Sequence, residues 1–121
     1  MKSIKKIIKV GVVGCGYWGP NLIRNLRQSV DCQLKVICDT SEQRLKHMRK
    51  LHHDVATTNR FEDLLNDPEL DALVIATPVR FHYEMAKATL AAGKHVFIEK
   101  PMARTVAEGE ELCALAQQNG L

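Results

Sequence analysis

Apolar positions along the chain follow two alternating rhythms. Ile7-Ile8-Lys9-Val10-Gly11-Val12-Val13 is a nearly unbroken β-branched run, the pattern of a strand covered on both faces. Leu22, Ile23, Leu26 and Val30 then recur at helical spacing. Gln33-Leu34-Lys35-Val36-Ile37-Cys38 reads as a second strand. Thr40 with Gln43 forms a capping box that opens a second helix, running to about His52. Val55-Ala56-Thr57 is a short third strand. Asn59 with Glu62 caps a short helix whose apolar face is Phe61, Leu64 and Leu65, and Asp67-Pro68 breaks it. Asp71 to Ala76 is the fourth strand, Phe81 to Ala92 a helix stopped by Gly93, and His95 to Ile98 the fifth strand. Thr105 with Glu108 caps a last helix that ends near Asn119-Gly120.

Strands that alternate with helices predict an α/β fold: a doubly wound parallel sheet, strand order 3-2-1-4-5, with helices on both faces. At 121 residues a single domain spanning 1–121 is expected. The chain stops where a sixth strand should begin, which reads as a fragment. An open fifth-strand edge invites self-association.

A net charge of +3, with no basic stripe interleaved with aromatics, argues against nucleic acid as a partner. No apolar run reaches the length of a membrane span. The basic start, Met1 to Lys6, leads into a strand and a glycine loop without a signal-peptide pattern, so a cytoplasmic protein is expected. Its lysines are expected to flank the first strand in solvent, and Arg44, Lys46, Arg49 and Lys50 to form the solvated face of the second helix. Cys15, Cys32, Cys38 and Cys113 lack metal-type spacing, so reduced thiols are expected, with Cys15 reachable by an oxidant when the loop is empty. His47, His52, His53 and His95 form no ligand cluster, and no metal is expected.

The chemistry concentrates at strand ends. Gly14-Cys15-Gly16-Tyr17-Trp18-Gly19 is a Gly-x-Gly-x-x-Gly turn between a strand and a helix. Gly14 allows the tight turn, Gly16 lets the main chain approach a pyrophosphate, and Gly19 lets the helix lie close on the strand. The backbone N–H groups of Tyr17 and Trp18 would meet the anion at the helix start. Asp39 ends the second strand about 20 residues past the last glycine, where a ribose 2′-hydroxyl needs an acceptor. A carboxylate there repels a 2′-phosphate, so NAD is expected in preference to NADP, although Arg44, a helical turn on, would weaken that preference by swinging back. Thr40, Thr77-Pro78 and Glu99-Lys100-Pro101 lie at the same carboxyl ends. Lys100 is either an ordinary exposed strand-end lysine or a proton carrier tuned by a neighbouring nicotinamide cation.

Gly-Val-Val-Gly-Cys-Gly-Tyr-Trp-Gly, Cys-Asp-Thr-Ser, Ala-Thr-Pro-Val-Arg-Phe-His and Ala-Gly-Lys-His-Val-Phe-Ile-Glu-Lys-Pro-Met-Ala together resemble the N-terminal Rossmann domain of the Gfo/Idh/MocA oxidoreductases. The resemblance spans nearly the whole chain. It implies a nicotinamide cofactor and oxidation or reduction of a sugar or cyclitol hydroxyl. It makes Lys100 the motif lysine near the reacting carbon, with Glu99 and Pro101 shaping its turn, and it makes His82 the motif histidine beneath the cofactor. The Lys100-Pro101 bond is either cis, which would hold the lysine in place, or trans. Two departures stand out. Val79 replaces an Asn common in relatives, leaving only backbone contact there, and the family's C-terminal substrate domain has no counterpart in these residues. Tyr-Trp-Gly-Pro-Asn-Leu-Ile-Arg-Asn resembles the branch that acts on UDP-N-acetyl sugars. The alternative reading is a stand-alone dinucleotide-binding or interaction module without catalysis.

Overall fold

The β-branched runs become the strands of one parallel sheet in the structure, a computed structural model that describes residues 6–121. The basic stretch Met1 to Lys5 lies outside the described residues, while Lys6 pairs with Asp71 at 3.1 Å. In chain order the elements are β1 (Ile8–Val13), α1 (Gly19–Gln28), β2 (Cys32–Cys38), α2 (Glu42–Leu51), β3 (Ala56–Thr58), α3 (Phe61–Leu65), β4 (Ala72–Ile75), α4 (His82–Ala91), β5 (His95–Ile98) and α5 (Val106–Gln118). A 3-10 turn, Val79–Phe81, leads into α4.

The strand order is β3-β2-β1-β4-β5, all parallel, as the alternation of elements predicts. Central β1 is buried on both faces, which is why it tolerates no polar residue after Lys9. Val12 sits between Ile37 of β2 and Val74 of β4 and is fully buried. On one face Ile23 of α1 and Leu45 and Met48 of α2 pack on Val10, Val12 and Leu34. On the other, Leu64 of α3 packs on Val13 and Leu73, while Ala86 and Leu90 of α4 and Leu112 of α5 pack on Ile75. Burying each such Leu or Ile contributes about 1.5–3 kcal/mol, more than short helices gain from propensity. β5 is an edge strand, and its Phe97 stays 57% exposed. The sheet's winding reverses between β1 and β4, so a crevice opens beyond their carboxyl ends.

Several local expectations are corrected, each by a side chain bonding to nearby main chain. Val30 is not part of α1: Ser29 turns extended, its hydroxyl accepts from the Asp31 N–H, and Val30 is left 88% exposed. Thr40 does not cap α2. The Asp39 carboxylate takes the Ser41 N–H at 2.8 Å, which shifts the helix start by one residue, and the Ser41 hydroxyl accepts from the Arg44 N–H. No Thr40–Gln43 box forms; Glu42 pairs with Arg49 instead. Asn59 does not cap α3, because the Thr58 hydroxyl already accepts from the Arg60 N–H and donates to Asp63 at 2.6 Å. At α5 the Thr105 hydroxyl accepts from the Glu108 N–H as expected, while the Glu108 carboxylate reaches the Arg104 N–H rather than that of Thr105. Gly93 and Gly120, at φ +78° and +68°, stop α4 and α5.

Candidate functional site

The β1–α1 turn is built by close backbone contact. Gly14 has φ +97°, and a Cβ there would lie 2.8 Å from the Ala76 backbone. A Cβ on Gly19 would lie 2.0 Å from the Gly14 carbonyl, so α1 rests directly on the turn. Gly19 is therefore buried under the loop and does not reach the cleft. Trp18 is the helix N-cap but offers no side-chain bond, and Pro20 follows without an N–H. Among the described residues the N–H groups of Gly16, Tyr17 and Trp18 have no protein acceptor. Unpaired donors at the positive end of a helix form a cradle for an anion. The Tyr17 and Trp18 rings, edge to face at 5.3 Å, stand exposed beside it.

Asp39 is buried at the tip of β2, and its carboxylate is already engaged. Oδ2 accepts from the Cys15 N–H at 3.0 Å and from the Cys15 thiol at 3.4 Å, and Oδ1 accepts from the Ser41 N–H. The acid thus ties the glycine loop to the start of α2, across 24 residues of sequence. Oδ2 is filled by these two donors, while Oδ1 keeps a lone pair for a further one. Burial, reinforced by the Asp39 charge, pushes the Cys15 thiol up to about 12, and burial likewise pushes Cys38 up to about 11. Cys15 is therefore an inert, buried thiol and not the oxidant-accessible group the sequence suggested.

Arg44 stays on the solvated face expected of it and also swings back toward the glycine loop. Its Nη1 lies 3.8 Å from Asp39 Oδ2, and a Cβ on Gly16 would be only 3.2 Å from it. The guanidinium leans over the glycine loop. Arg49 is tied to Glu42 and donates to Thr57 at 2.9 Å.

The β4 and β5 tips complete the wall. Thr77 and Pro78 follow β4 beside Gly14. His82, 1% exposed, sits at the start of α4, with its ring between the Thr77 and Pro101 carbonyls. Glu99 continues the β5 ladder by donating its N–H to the Ile75 carbonyl at 2.9 Å. The Lys100-Pro101 peptide is cis. Lys100 is exposed, and among the described residues its ammonium has no ion-pair partner.

These tips enclose a cleft of about 570 Å³. Gly14, Gly16, Tyr17, Trp18, Asp39, Thr40, Thr77, Pro78, His82, Glu99 and Lys100 all line it. Sequence reasoning did not assign to it Phe61, Phe81 and Met85, which with Val79 give the cleft an apolar flank. Their only sequence signal is position, just after β3 and β4. A shallower groove of about 740 Å³ runs along α5 from Met102 to Gln117 and carries none of the loop's donors. Among the described residues no group of three His, Cys, Asp or Glu is placed to hold a metal, and no helix is long and apolar enough to cross a membrane.

Comparison with known proteins agrees with this geometry. The profile of the GFO_IDH_MocA oxidoreductase family, NAD-binding Rossmann fold, matches residues 8–121. The scyllo-inositol 2-dehydrogenase (NADP(+)) IolW of Bacillus subtilis is 33% identical over 124 residues, covering all of this chain and 34% of the relative. Among solved structures, biliverdin reductase from Synechocystis sp. PCC 6803, in complex with biliverdin and NADP+, is 35% identical with a TM-score of 0.89, over 95% of this chain and 36% of that one. GenD2 from gentamicin A biosynthesis, in complex with NAD, is 25% identical with a TM-score of 0.91, over all of this chain and 35% of that one. The chain belongs to the Gfo/Idh/MocA oxidoreductase family and carries its NAD(P)-binding Rossmann domain. It spans about a third of the length of the relatives it matches.

Proposed function

We propose that this chain, as a member of that family, is the cofactor-binding part of a nicotinamide-dependent oxidoreductase that acts on a hydroxyl of a sugar, cyclitol or sugar nucleotide. The observation that carries the reading is one cleft in which loop N–H groups and a lysine that have no protein partner among the described residues converge with a strand-end carboxylate. The Gly14–Gly19 cradle fits a pyrophosphate: Gly14 and Gly19 allow the close backbone contacts that form the turn, and the donors without a protein acceptor among the described residues lie at a helix N-terminus. Asp39 Oδ1 has a lone pair left for a ribose hydroxyl. Thr40, Thr77, Pro78 and Glu99 shape the walls.

A bound nicotinamide supplies the hydride acceptor or donor. Lys100 holds the proton at Nζ and exchanges it with the reacting hydroxyl, as a general acid or base. The substrate itself is held by a C-terminal domain, for which the length of the relatives leaves room. IolW, whose name gives scyllo-inositol as its substrate, supports the cyclitol and sugar class. The Asp39 carboxylate supports NAD as the preferred cofactor, and Arg44, leaning over the loop, is the cation that admits NADP.

Calorimetric titration of the chain with NAD and with NADP tests the binding half of this proposal. Saturable binding of NAD, tighter than NADP, is expected; no heat with either would remove it. Turnover is tested in the full coding sequence, against a panel of sugars, cyclitols and UDP-sugars.

A further inference from the structure

The His82 ring makes two contacts that a neutral imidazole cannot make at once. Nδ1 lies 2.8 Å from the Pro101 carbonyl oxygen and Nε2 lies 2.6 Å from the Thr77 carbonyl oxygen. A carbonyl oxygen only accepts, and a neutral ring has one N–H and one bare lone pair. Either neutral tautomer would set a nitrogen lone pair against an oxygen lone pair at hydrogen-bond distance. The doubly protonated ring has a donor for each. Both distances lie at the short end for N–H···O bonds, where charge-assisted bonds fall. Burying a cation is costly, and two such bonds to main-chain dipoles offset that cost.

The two carbonyls belong to different loops. Pro101 follows Lys100 directly, in the turn after β5. Thr77 is in the turn after β4, whose backbone packs against Gly14 of the glycine loop. A chain of contacts therefore runs from the glycine loop through Thr77 and His82 to the residue that follows Lys100.

We propose that His82 is a positioning residue for Lys100: its ring donates from both nitrogens to the Thr77 and Pro101 carbonyls and fixes the lysine turn to the wall of the cleft. The benefit to chemistry rests on the reading of Lys100 given above, whereas the two-donor bridge does not. A side chain that acts at a reacting atom must be held within a fraction of an ångström, and among the described residues the Lys100 ammonium has no ion-pair partner to hold it there.

The test uses the chain without ligand. Long-range proton–nitrogen NMR correlations of the histidine rings report which nitrogens carry protons. For His82, two protonated nitrogens with slowly exchanging N–H signals are expected; one protonated and one bare nitrogen would overturn the proposal. In His82→Gln, where a single amide cannot donate to both carbonyls in this geometry, the Cε–Nζ signal of Lys100 is expected to shift. That of Lys94, buried and bonded to the Asp67 and Leu70 carbonyls, should stay in place. An unmoved Lys100 signal in the folded variant would overturn the proposal as well. If His82→Gln does not fold, the wild-type ring spectrum decides alone. These readings are independent of cofactor titration, so loss of the dehydrogenase reading and loss of the bridge give different results.

Discussion

Replacing Asp39 with Ala probes the joint between fold and site. The carboxylate holds the buried Cys15 N–H and the partly buried Ser41 N–H. Hydrogen bonds to a charged acceptor contribute about 1.5–3 kcal/mol each, and a buried donor left unpaired costs about 1–3 kcal/mol. Partial hydration of the freed groups leaves an expected loss of roughly 2–5 kcal/mol. For a chain of this length that lowers the melting temperature on the order of 10 °C. Asp39→Asn should fall between wild type and Ala, because an amide has one accepting end where the carboxylate has two. The assay is thermal unfolding followed by circular dichroism, paired with calorimetry of NAD and NADP. Asp39→Ala should bind NAD more weakly and lose its preference over NADP. If Asp39→Ala melts with the wild type, the carboxylate does not hold the loop. If it then also binds both cofactors unchanged, Asp39 has no place in the site.

Arg44→Ala should weaken NADP roughly tenfold while leaving NAD nearly unchanged, read by the same calorimetry. Gly19→Ala places a Cβ 2.0 Å from the Gly14 carbonyl and should destabilise the fold by about 1–3 kcal/mol or more, read by chemical denaturation. If the proposed function holds, Lys100→Ala in the protein that shows turnover should lower it roughly 10²–10⁴-fold and change cofactor affinity little; wild-type turnover would remove Lys100 from the chemistry. The Cys15 and Cys38 thiols titrate higher in the folded chain, at about 12 and about 11, than the ordinary value of 9.0. Their contribution is intact below pH 9 and is lost as pH rises toward those values, since the unfolded chain releases their protons first. Melting temperature should therefore fall across that alkaline window, and Cys15→Ala should flatten the fall.

The sheet order was legible because its signals are local: β-branched runs, capping residues, and the glycines and prolines that end elements. Gly14, Gly19, Gly93 and Thr105 do in the structure what their positions suggest. The errors at Thr40 and Asn59 also have one local cause, since a neighbouring side chain, Asp39 or Thr58, reached the same main chain first. Contacts across the fold were not legible. Asp39 looked free for a ribose, yet it spans 24 residues to hold Cys15. For Arg44 the sequence left open which way the exposed side chain leans, and the packing of α2 turns it over Gly16. The His82 ring meets two carbonyls whose loops only the sheet brings together.

In the proposed function one cleft, at the carboxyl ends of β1, β2, β4 and β5, receives a dinucleotide with its phosphates on the N-terminus of α1. Amide NMR during titration of the chain with NAD tests it most directly. Saturable shifts are expected at Gly16, Tyr17, Trp18, Asp39, Thr77 and Lys100, with the α5 groove from Met102 to Gln117 silent. Shifts confined to that groove, or none at saturating NAD, would contradict it.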